Sequence, residues 1–310
     1  MDCCEGQNPR KEKAGGEYPG AMTSEHVIEA TGLERRYGDI QALKGADLNL
    51  KKGEFLGLLG PNGAGKTTTL RMIACLERRD AGDLRVMGHD PNTGSSEILG
   101  RLGVVPQELA IYDTLTAKEN LDFFAGMHGL SGARKKERVE WALQVSGLTE
   151  RAGDLVSGFS GGMKRRLNLV VGLLHEPDLV LLDEPTVGVD PQSRNHLFEM
   201  IESLRGQVSL IYTTHQMGEI ERLCDRIVIM DEGQVVVQGT WSELQGLPGV
   251  KDQQVSHLEL EDSQRAEEAA QILQKAGIPC QLEGRGADLE SIFLATTGKA
   301  LRDSNQQEAQ

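Results

Sequence analysis

The amino-acid sequence predicts an α/β fold, built on a mixed, mainly parallel sheet with a helical insert and a small C-terminal α+β appendage. Short β-rich runs alternate with helical patterns from His26 onwards, and this alternation favours a parallel sheet covered by helices. Between about residues 110 and 165 the strand signal gives way to apolar residues at helical spacing. The predicted strands are 46–50, 55–59, 104–105, 179–182, 209–212, 227–230 and 235–238, and the predicted helices of the insert are 117–127 and 133–146.

Composition divides the chain into four regions. Residues 1–25 are rich in Gly, Lys, Glu and Asn with little to bury, which predicts a disordered tail. Residues 26–245 are expected to form the main domain. Residues 246–302 are expected to form an accessory domain with strands at 255–260 and 278–282 and helices at 263–275 and 287–296. Residues 303–310 are expected to fray.

Charge and hydropathy limit the classes of function. The chain carries 47 acidic and 33 basic residues, a formal charge of -14, which disfavours the broad phosphate-backbone contact that nucleic-acid binding needs. Its apolar runs are much shorter than the roughly 18 residues of a membrane span. The N-terminus lacks an apolar signal region, so a cytoplasmic protein is expected.

The five cysteines are odd in number and scattered, which suits reduced thiols better than a disulfide framework. The adjacent pair Cys3 and Cys4 is either an acylation or metal site or, in a tail of this composition, inert.

A phosphate-binding loop is predicted directly after the strand at 55–59. The segment fits the pattern G-x-x-x-x-G-K-[ST] and precedes a helical stretch, which is the context that the pattern requires. Its glycines allow backbone N–H groups to point at phosphates beside a helix N-terminus. Lys66 is expected to reach the β and γ phosphates, Thr67 to bind Mg²⁺ through its hydroxyl, and Thr68 to touch a phosphate oxygen. The predicted loop is Gly60, Pro61, Asn62, Gly63, Ala64, Gly65, Lys66 and Thr67.

A second candidate site lies where the apolar strand at 179–182 ends in Asp183 and Glu184. Paired acids after a buried run are costly unless they meet a cation. Asp183 is therefore expected to hold Mg²⁺, directly or through water, and Glu184 to act as general base towards the attacking water. Alone, the pair would equally fit a solvated turn.

The segment 159–167, FSGGMKRRL, resembles the signature segment of the ATP-binding-cassette (ABC) family, usually L-S-G-G-Q, in its expected place before Asp183. It predicts a second helix N-terminus able to bind an anion. The resemblance implies a P-loop NTPase core, ATP as ligand, and a head-to-tail homodimer in which the signature of one subunit completes the phosphate loop of the other. The residues that would act across the dimer are Ser160, Gly161 and Gly162.

Four further residues match the family's order of segments between about residues 26 and 240. The resemblance implies that Tyr37 stacks on adenine and that Gln107 approaches the metal and the attacking water. It implies that Asp190 acts across the dimer and that His215 touches the γ-phosphate. A lone tyrosine or histidine in such a place would otherwise be structural.

The branch of the family is indicated by two departures from the consensus: Phe159 in place of Leu, and the continuation 163–166, MKRR. Both are similar to the daunorubicin-resistance type of drug, antibiotic and lipid exporters, as is the segment 288–298. In that branch ATPase and permease are separate chains, so a membrane permease partner is implied at residues 107–112 and 115–124, with the protein peripheral at the cytoplasmic face. Taken alone, the basic residues Lys164, Arg165 and Arg166 are expected to form a solvated helix face.

Two other classes remain as alternatives. A non-transport cassette ATPase of DNA repair, chromosome or ribosome work usually has tandem cassettes, long coiled coils, zinc insertions or basic arms, and the sequence shows none of these. A P-loop kinase would not explain the signature segment or His215.

Overall fold

The computed structural model describes residues 25–247, so the predicted tails and the accessory-domain elements from 255 onwards lie outside the described residues. The described strands are β1 His26–Tyr37, β2 Ile40–Lys51, β3 Phe55–Leu59, β4 Ala81–Val86, β5 Leu102–Val105, β6 Leu179–Asp183, β7 Ser209–Thr214, β8 Arg226–Asp231 and β9 Gln234–Gly239. The described α-helices are α1 Lys66–Ile73, α2 Ser95–Leu99, α3 Ala117–Met127, α4 Gly132–Val145, α5 Gly161–Val171, α6 Pro191–Glu202, α7 Met217–Leu223 and α8 Trp241–Gln245.

The central sheet has six strands in the order β5-β6-β7-β3-β8-β9. The pairs from β5 to β8 are parallel, and β9 pairs antiparallel with β8. The predicted mixed, mainly parallel sheet is therefore confirmed. Because β3, β6 and β7 are adjacent and parallel, the segments that follow them meet at one edge of the sheet.

Strand β3 is buried along its whole length and faces two cores. Phe55 and Leu59 pack with α5 and α6, whereas Leu56 and Leu58 pack with α1 and the second sheet. This alternation is the period of two that a strand buried on both faces imposes. It fixes the end of β3, and thus the start of the loop at residue 60, from both sides.

A second sheet, antiparallel with the order β2-β1-β4, was not predicted as a separate unit. Strand β1 changes register against β2 at several points, so its apolar residues do not alternate cleanly. Strand β4 exposes four of its six residues and buries Leu84 and Val86. Both features weaken the period-two signal on which strand prediction depends. Helix α1 lies between the two sheets, with Leu70 and Ile73 in their shared core.

The helical insert was predicted correctly in kind: α3 has the predicted bounds, and α4 begins and ends one residue before the predicted helix. Thr116 caps α3 in a capping box with Glu119, which satisfies two backbone N–H groups at the helix start. Two 3₁₀ turns, Thr149–Arg151 and Val156–Gly158, lead from α4 to α5. Across residues 25–247 no helix is long and apolar enough to span a bilayer.

Candidate functional site

The loop between β3 and α1 requires glycine at two positions for steric reasons. A Cβ at Gly60 would lie 2.2 Å from the Met230 carbonyl oxygen. Gly65 has φ +101°, a conformation that residues with a side chain rarely adopt, and its Cβ would approach the Ala42 carbonyl oxygen to 2.9 Å. The loop is thus held tightly between β2 and β8, and its glycines keep the backbone accessible to a ligand.

Lys66 is the first residue of α1, and its side chain is 5% exposed. Its Nζ donates to the carbonyl oxygens of Gly60 (2.7 Å) and Pro61 (3.1 Å), which folds the side chain back over the loop. Burial lowers the pKa of Lys66, and the Glu184 and Asp183 carboxylates oppose that effect. The loop therefore presents a desolvated ammonium that donates to two carbonyl oxygens, which fits a phosphate ligand.

Thr67 and Asp183 bring two oxygen atoms of the kind that bind metal ions together at the edge of the sheet. The Thr67 hydroxyl donates to Asp183 Oδ2 at 3.1 Å, and the Thr213 hydroxyl donates to Asp183 Oδ1 at 2.6 Å. A hydroxyl and a carboxylate are the ligand types that Mg²⁺ takes at phosphate sites. The residues present therefore fit the metal that the sequence implies.

Glu184 follows in an unusual backbone conformation, with φ +45° in the left-handed region. Its N–H donates to both the carbonyl oxygen and the hydroxyl of Thr213, each at 3.1 Å, which secures the turn after β6 to β7. A non-glycine residue in this region is strained, and such strain clusters at functional sites. Here it directs the buried carboxylate towards the phosphate loop.

The Glu184 carboxylate lies between two basic side chains. Its Oε1 is 3.7 Å from Lys66 Nζ and 3.5 Å from His215 Nδ1. The contact with His215 lowers the pKa of Glu184, and Lys66 acts in the same direction. The same contact raises the pKa of His215. Glu184 is therefore held as a carboxylate, the protonation state that a general base requires.

Behind His215 lies a buried carboxylate that the sequence analysis did not identify. Glu219 is 4% exposed and accepts three hydrogen bonds from hydroxyl groups. Their donors are Thr186 (2.7 Å), Tyr212 (2.9 Å) and Thr214 (2.8 Å). The Thr214 hydroxyl in turn accepts from the N–H of Gln216, next to His215. Glu219 thus joins the segment after Glu184 to the turn that carries His215.

The predicted signature residues form the start of α5, where the Ser160 hydroxyl accepts from the N–H of Met163 at 3.3 Å. A Cβ at Gly162 would lie 2.1 Å from Ser193 Oγ and 3.7 Å from Asp190 Oδ2. Asp190 caps α6 by accepting from the N–H of Ser193 at 3.0 Å. Glycine at position 162 therefore lets the start of α5 pack against α6. It also places the signature beside Asp190.

Gln107 and Tyr37 are less closely tied to this centre. Gln107 lies just after β5 with an exposed side chain, and its carbonyl oxygen accepts from the Arg165 guanidinium. Tyr37 ends β1 in the antiparallel sheet and is 40% exposed. The Arg35 guanidinium lies 4.9 Å from the centre of the Tyr37 ring. Their roles in nucleotide binding remain predictions.

The basic residues after the signature are not a solvated helix face, because Lys164, Arg165 and Arg166 are all partly buried. Lys164 donates to both carboxylate oxygens of Asp113, at 2.8 and 2.9 Å. The Arg165 guanidinium donates to two backbone carbonyl oxygens, those of Gln107 and Val187. The interpretation as a solvated face was wrong, since all three side chains are partly buried and those of Lys164 and Arg165 contact the loop after β5.

Of the residues that the sequence did not predict, some have a recognisable sequence pattern and others have none. Glu219 lies on the apolar stripe of α7 with Ile220 and Leu223, and an acid on such a stripe is a signal for a buried network. Thr213 and Thr214 continue a buried strand and carry no separate signal. The contacts of Arg165 join loops that are distant in the sequence, so no local pattern indicates them.

Comparison with known proteins supplies independent findings. A sequence profile described as ABC transporter matches residues 43–187. The linearmycin resistance ATP-binding protein LnrL of Bacillus subtilis (strain 168) is 39% identical over 89% of this chain and 100% of the relative. The daunorubicin/doxorubicin resistance ATP-binding protein DrrA of Streptomyces peucetius is 39% identical over 80% of this chain and 74% of the relative.

Solved structures of ATP-binding subunits and cassettes have a fold similar to that of this chain. An ATP binding subunit of an ABC transporter superposes with a TM-score of 0.65 at 30% identity, over 71% of this chain and 92% of the other. The ATP-binding cassette MJ0796, in a dimeric post-hydrolysis state bound to ADP and Pi, superposes with a TM-score of 0.62 at 25% identity. That match covers 69% of this chain and 98% of the other.

Proposed function

The chain belongs to the ABC transporter family, among the ATP-binding subunits of drug-resistance and export systems, and we propose that it hydrolyses ATP with Mg²⁺ to drive a separate membrane permease. The observation that carries the proposal is the convergence of Lys66, Glu184 and His215 at one edge of the central sheet, with Thr67 and Asp183 beside them. This set unites phosphate binding, metal ligands and a general base.

The proposed roles follow from the positions of the side chains. Lys66 and residues 60–68 hold the phosphates, and Thr67, Asp183 and Gln107 hold Mg²⁺. Bound Mg²⁺ would neutralise negative charge on the phosphate oxygens. Glu184 accepts a proton from the attacking water, and His215 holds the terminal phosphate through its imidazole. Tyr37 stacks on adenine through the ring face that Arg35 leaves open.

Magnesium dependence provides the first test. Asp183→Asn removes a charged oxygen donor but keeps the shape of the side chain, so we expect half-maximal ATPase activity to need about tenfold more Mg²⁺ or more. Binding of a fluorescent ATP analogue in EDTA should stay within about twofold of wild type, because Lys66 and the loop are intact. The measurement is ATPase rate against free Mg²⁺.

Asp178→Asn is the matched control for this test, since Asp178 is an exposed acid just before β6 and pairs with Arg101 at 2.7 Å. The control should keep the wild-type Mg²⁺ dependence. If Asp183→Asn also keeps it, Asp183 is not a ligand of the metal.

The dimer is proposed because the signature residues at the start of α5 and the phosphate-binding residues contact different parts of the chain. The start of α5 packs beside Asp190 and Ser193, while Lys66 and Glu184 face the loop after β3. Ser160, Gly161, Gly162 and Asp190 are thus proposed to act on the nucleotide of a second copy. The dimeric state of the related cassette bound to ADP and Pi supports this arrangement.

The permease is proposed to dock on the aromatic surface formed by Tyr112 and Phe123, which are 48% and 44% exposed, together with Leu109, which is 38% exposed and lies on the same loop as Tyr112. The Tyr112 ring packs edge-on against Phe123 with centroids 5.2 Å apart. Asn120 fixes the backbone of Tyr112 through hydrogen bonds to both its N–H and its carbonyl oxygen. The surface is therefore apolar, exposed and preorganised, as a docking site requires.

A charge on this surface should break the interaction. We expect Tyr112→Asp to lower recovery of a membrane protein that copurifies with the tagged chain at least about tenfold, because a desolvated carboxylate costs several kcal/mol at an interface. The measurement is affinity purification from detergent-solubilised membranes, with ATPase activity of the soluble variant as a check of folding.

Leu76→Asp is the matched control, because Leu76 is 67% exposed and follows α1 on a different part of the chain. It should leave recovery unchanged. Equal recovery with Tyr112→Asp and with wild type would refute docking at the aromatic surface.

The transported substrate is proposed to be a drug, antibiotic, lipid or similar compound, with selectivity in the permease. The relatives named above are resistance proteins for linearmycin and for daunorubicin and doxorubicin, which supports export. A non-transport cassette ATPase is not favoured by these relatives. The protein is proposed to work peripherally at the cytoplasmic face of the membrane.

A further inference from the structure

Arg165 connects three parts of the proposed site that are distant in the sequence. It lies one turn into α5, about 6 Å along the axis from Gly161 at the helix start. One terminal nitrogen of its guanidinium donates to the carbonyl oxygen of Gln107, and the other donates to that of Val187 at 3.2 Å. The signature helix, the loop after β5 and the loop after Glu184 therefore meet on one side chain.

The chemistry of this contact favours arginine specifically. Arg165 is partly buried, and both hydrogen bonds end on backbone carbonyl oxygens, so it fixes the position of main chain in both loops. The planar guanidinium holds its donors in a rigid fork, and this geometry sets the relative position of the two acceptors. A lysine ammonium carries its three donors on one nitrogen and lacks the planar fork.

The neighbouring contact strengthens the connection. Lys164 binds Asp113, so successive residues of α5 hold residues 107 and 113 of the same loop. The loop also carries Tyr112 of the aromatic surface. Helix α5 is thus tied at two points to the loop that carries Gln107 and the proposed permease contact.

We propose that Arg165 is a positioning residue, which makes the loops containing Gln107 and Val187 move as one unit with the signature helix. The proposal rests on the proposed function, because α5 is taken to bind the nucleotide of the second copy. The fork couples that contact to the subunit's own site: when the helix start is engaged, Gln107 and the segment from Glu184 to Asp190 shift together. The two sites of the dimer then respond to each other's nucleotide.

Hydrogen exchange of the nucleotide-free chain tests the fork without requiring a dimer. Peptides covering Gln107 and Val187 should take up deuterium at least about threefold faster in Arg165→Lys and Arg165→Gln than in wild type, because a lost anchor raises local opening. The same substitutions at Arg134, an exposed arginine of α4 that pairs with Glu176 at 2.7 Å, should leave both peptides unchanged. Wild-type exchange in both Arg165 variants would overturn the proposal.

The ATPase reaction tests the coupling. Wild type should hydrolyse ATP with a Hill coefficient above 1, and both Arg165 variants should approach about 1 with kcat lowered on the order of tenfold. Binding of a fluorescent ATP analogue to the monomer should change less than about twofold, since Lys66 is intact. A loss of stability alone would not remove cooperativity while sparing nucleotide affinity.

The possible outcomes separate this inference from the function on which it rests. If Arg165→Lys keeps the wild-type Hill coefficient and kcat, charge rather than the fork is sufficient and the inference fails. If wild type itself shows neither cooperativity nor an ATP-dependent dimer, the proposed two-site function fails. In that case the exchange rates still decide whether Arg165 holds the two loops.

Discussion

Glu184→Gln is expected to lower kcat for ATP hydrolysis by on the order of 10²- to 10⁴-fold, the usual contribution of general acid–base catalysis. Glutamine keeps the size of the side chain but cannot take a proton from water. The phosphate loop is unaffected, so ATP binding should persist and the ATP-bound dimer should accumulate. The measurements are steady-state ATPase rates and light scattering of the variant with and without ATP.

The control for this prediction is Glu140→Gln on α4, where the carboxylate is 60% exposed and 3.8 Å from Lys136. It should hydrolyse ATP at the wild-type rate. A Glu184→Gln variant that stays monomeric with ATP would contradict the proposed dimer, and one that keeps wild-type turnover would contradict the general base.

The contacts of the Glu184 carboxylate give a reason to use glutamine rather than alanine. The carboxylate contacts both Lys66 and His215, and its removal leaves a buried ammonium with one partner fewer. Glutamine still offers an amide oxygen to Lys66, so the loop should stay in place. Glutamine also removes the negative charge that raises the pKa of His215. The pKa of His215 should therefore be lower in the variant than in wild type.

The sequence was most informative where the chain is locally constrained. The run from β3 through Gly60 and Gly65 to α1 was predicted because its motif is contiguous in the sequence. The contacts that exclude a side chain at the two glycines, with Met230 and Ala42, are tertiary and were not visible. The end of β6 was predicted because a buried strand that stops at Asp183 and Glu184 is an expensive arrangement without a ligand.

The features that the sequence did not indicate depend on tertiary pairing. The antiparallel sheet joins β1 to β4 across more than forty residues, with bulges that interrupt the alternation of its apolar residues. In the local sequence Arg165 is one of three successive basic residues, as on an exposed helix face. Its partners are backbone carbonyl oxygens, which any residue type supplies. Such contacts are specified by the fold rather than by residue identity along one segment.

Glu219→Ala is expected to cost about 3 kcal/mol of the free energy of unfolding. The change leaves the buried hydroxyls of Thr186, Tyr212 and Thr214 without their acceptor. Each unsatisfied buried group costs about 1–3 kcal/mol, and hydroxyl rotation or entering water recovers part of the sum. Glu219→Gln should cost about 1 kcal/mol, because its amide can accept one hydroxyl and donate to another. The measurement is urea unfolding followed by circular dichroism.

Glu202→Ala provides the matched control, since Glu202 ends α6, is 36% exposed and pairs with Arg222 at 2.7 Å. An exposed pair of this kind contributes about 0–1 kcal/mol. If Glu219→Ala costs no more than this control, the three hydroxyls find other partners and the network does not hold the turn at His215. If it costs as much as expected while Glu219→Gln stays stable yet turns over slowly, the buried charge positions His215 as well as stabilising the fold.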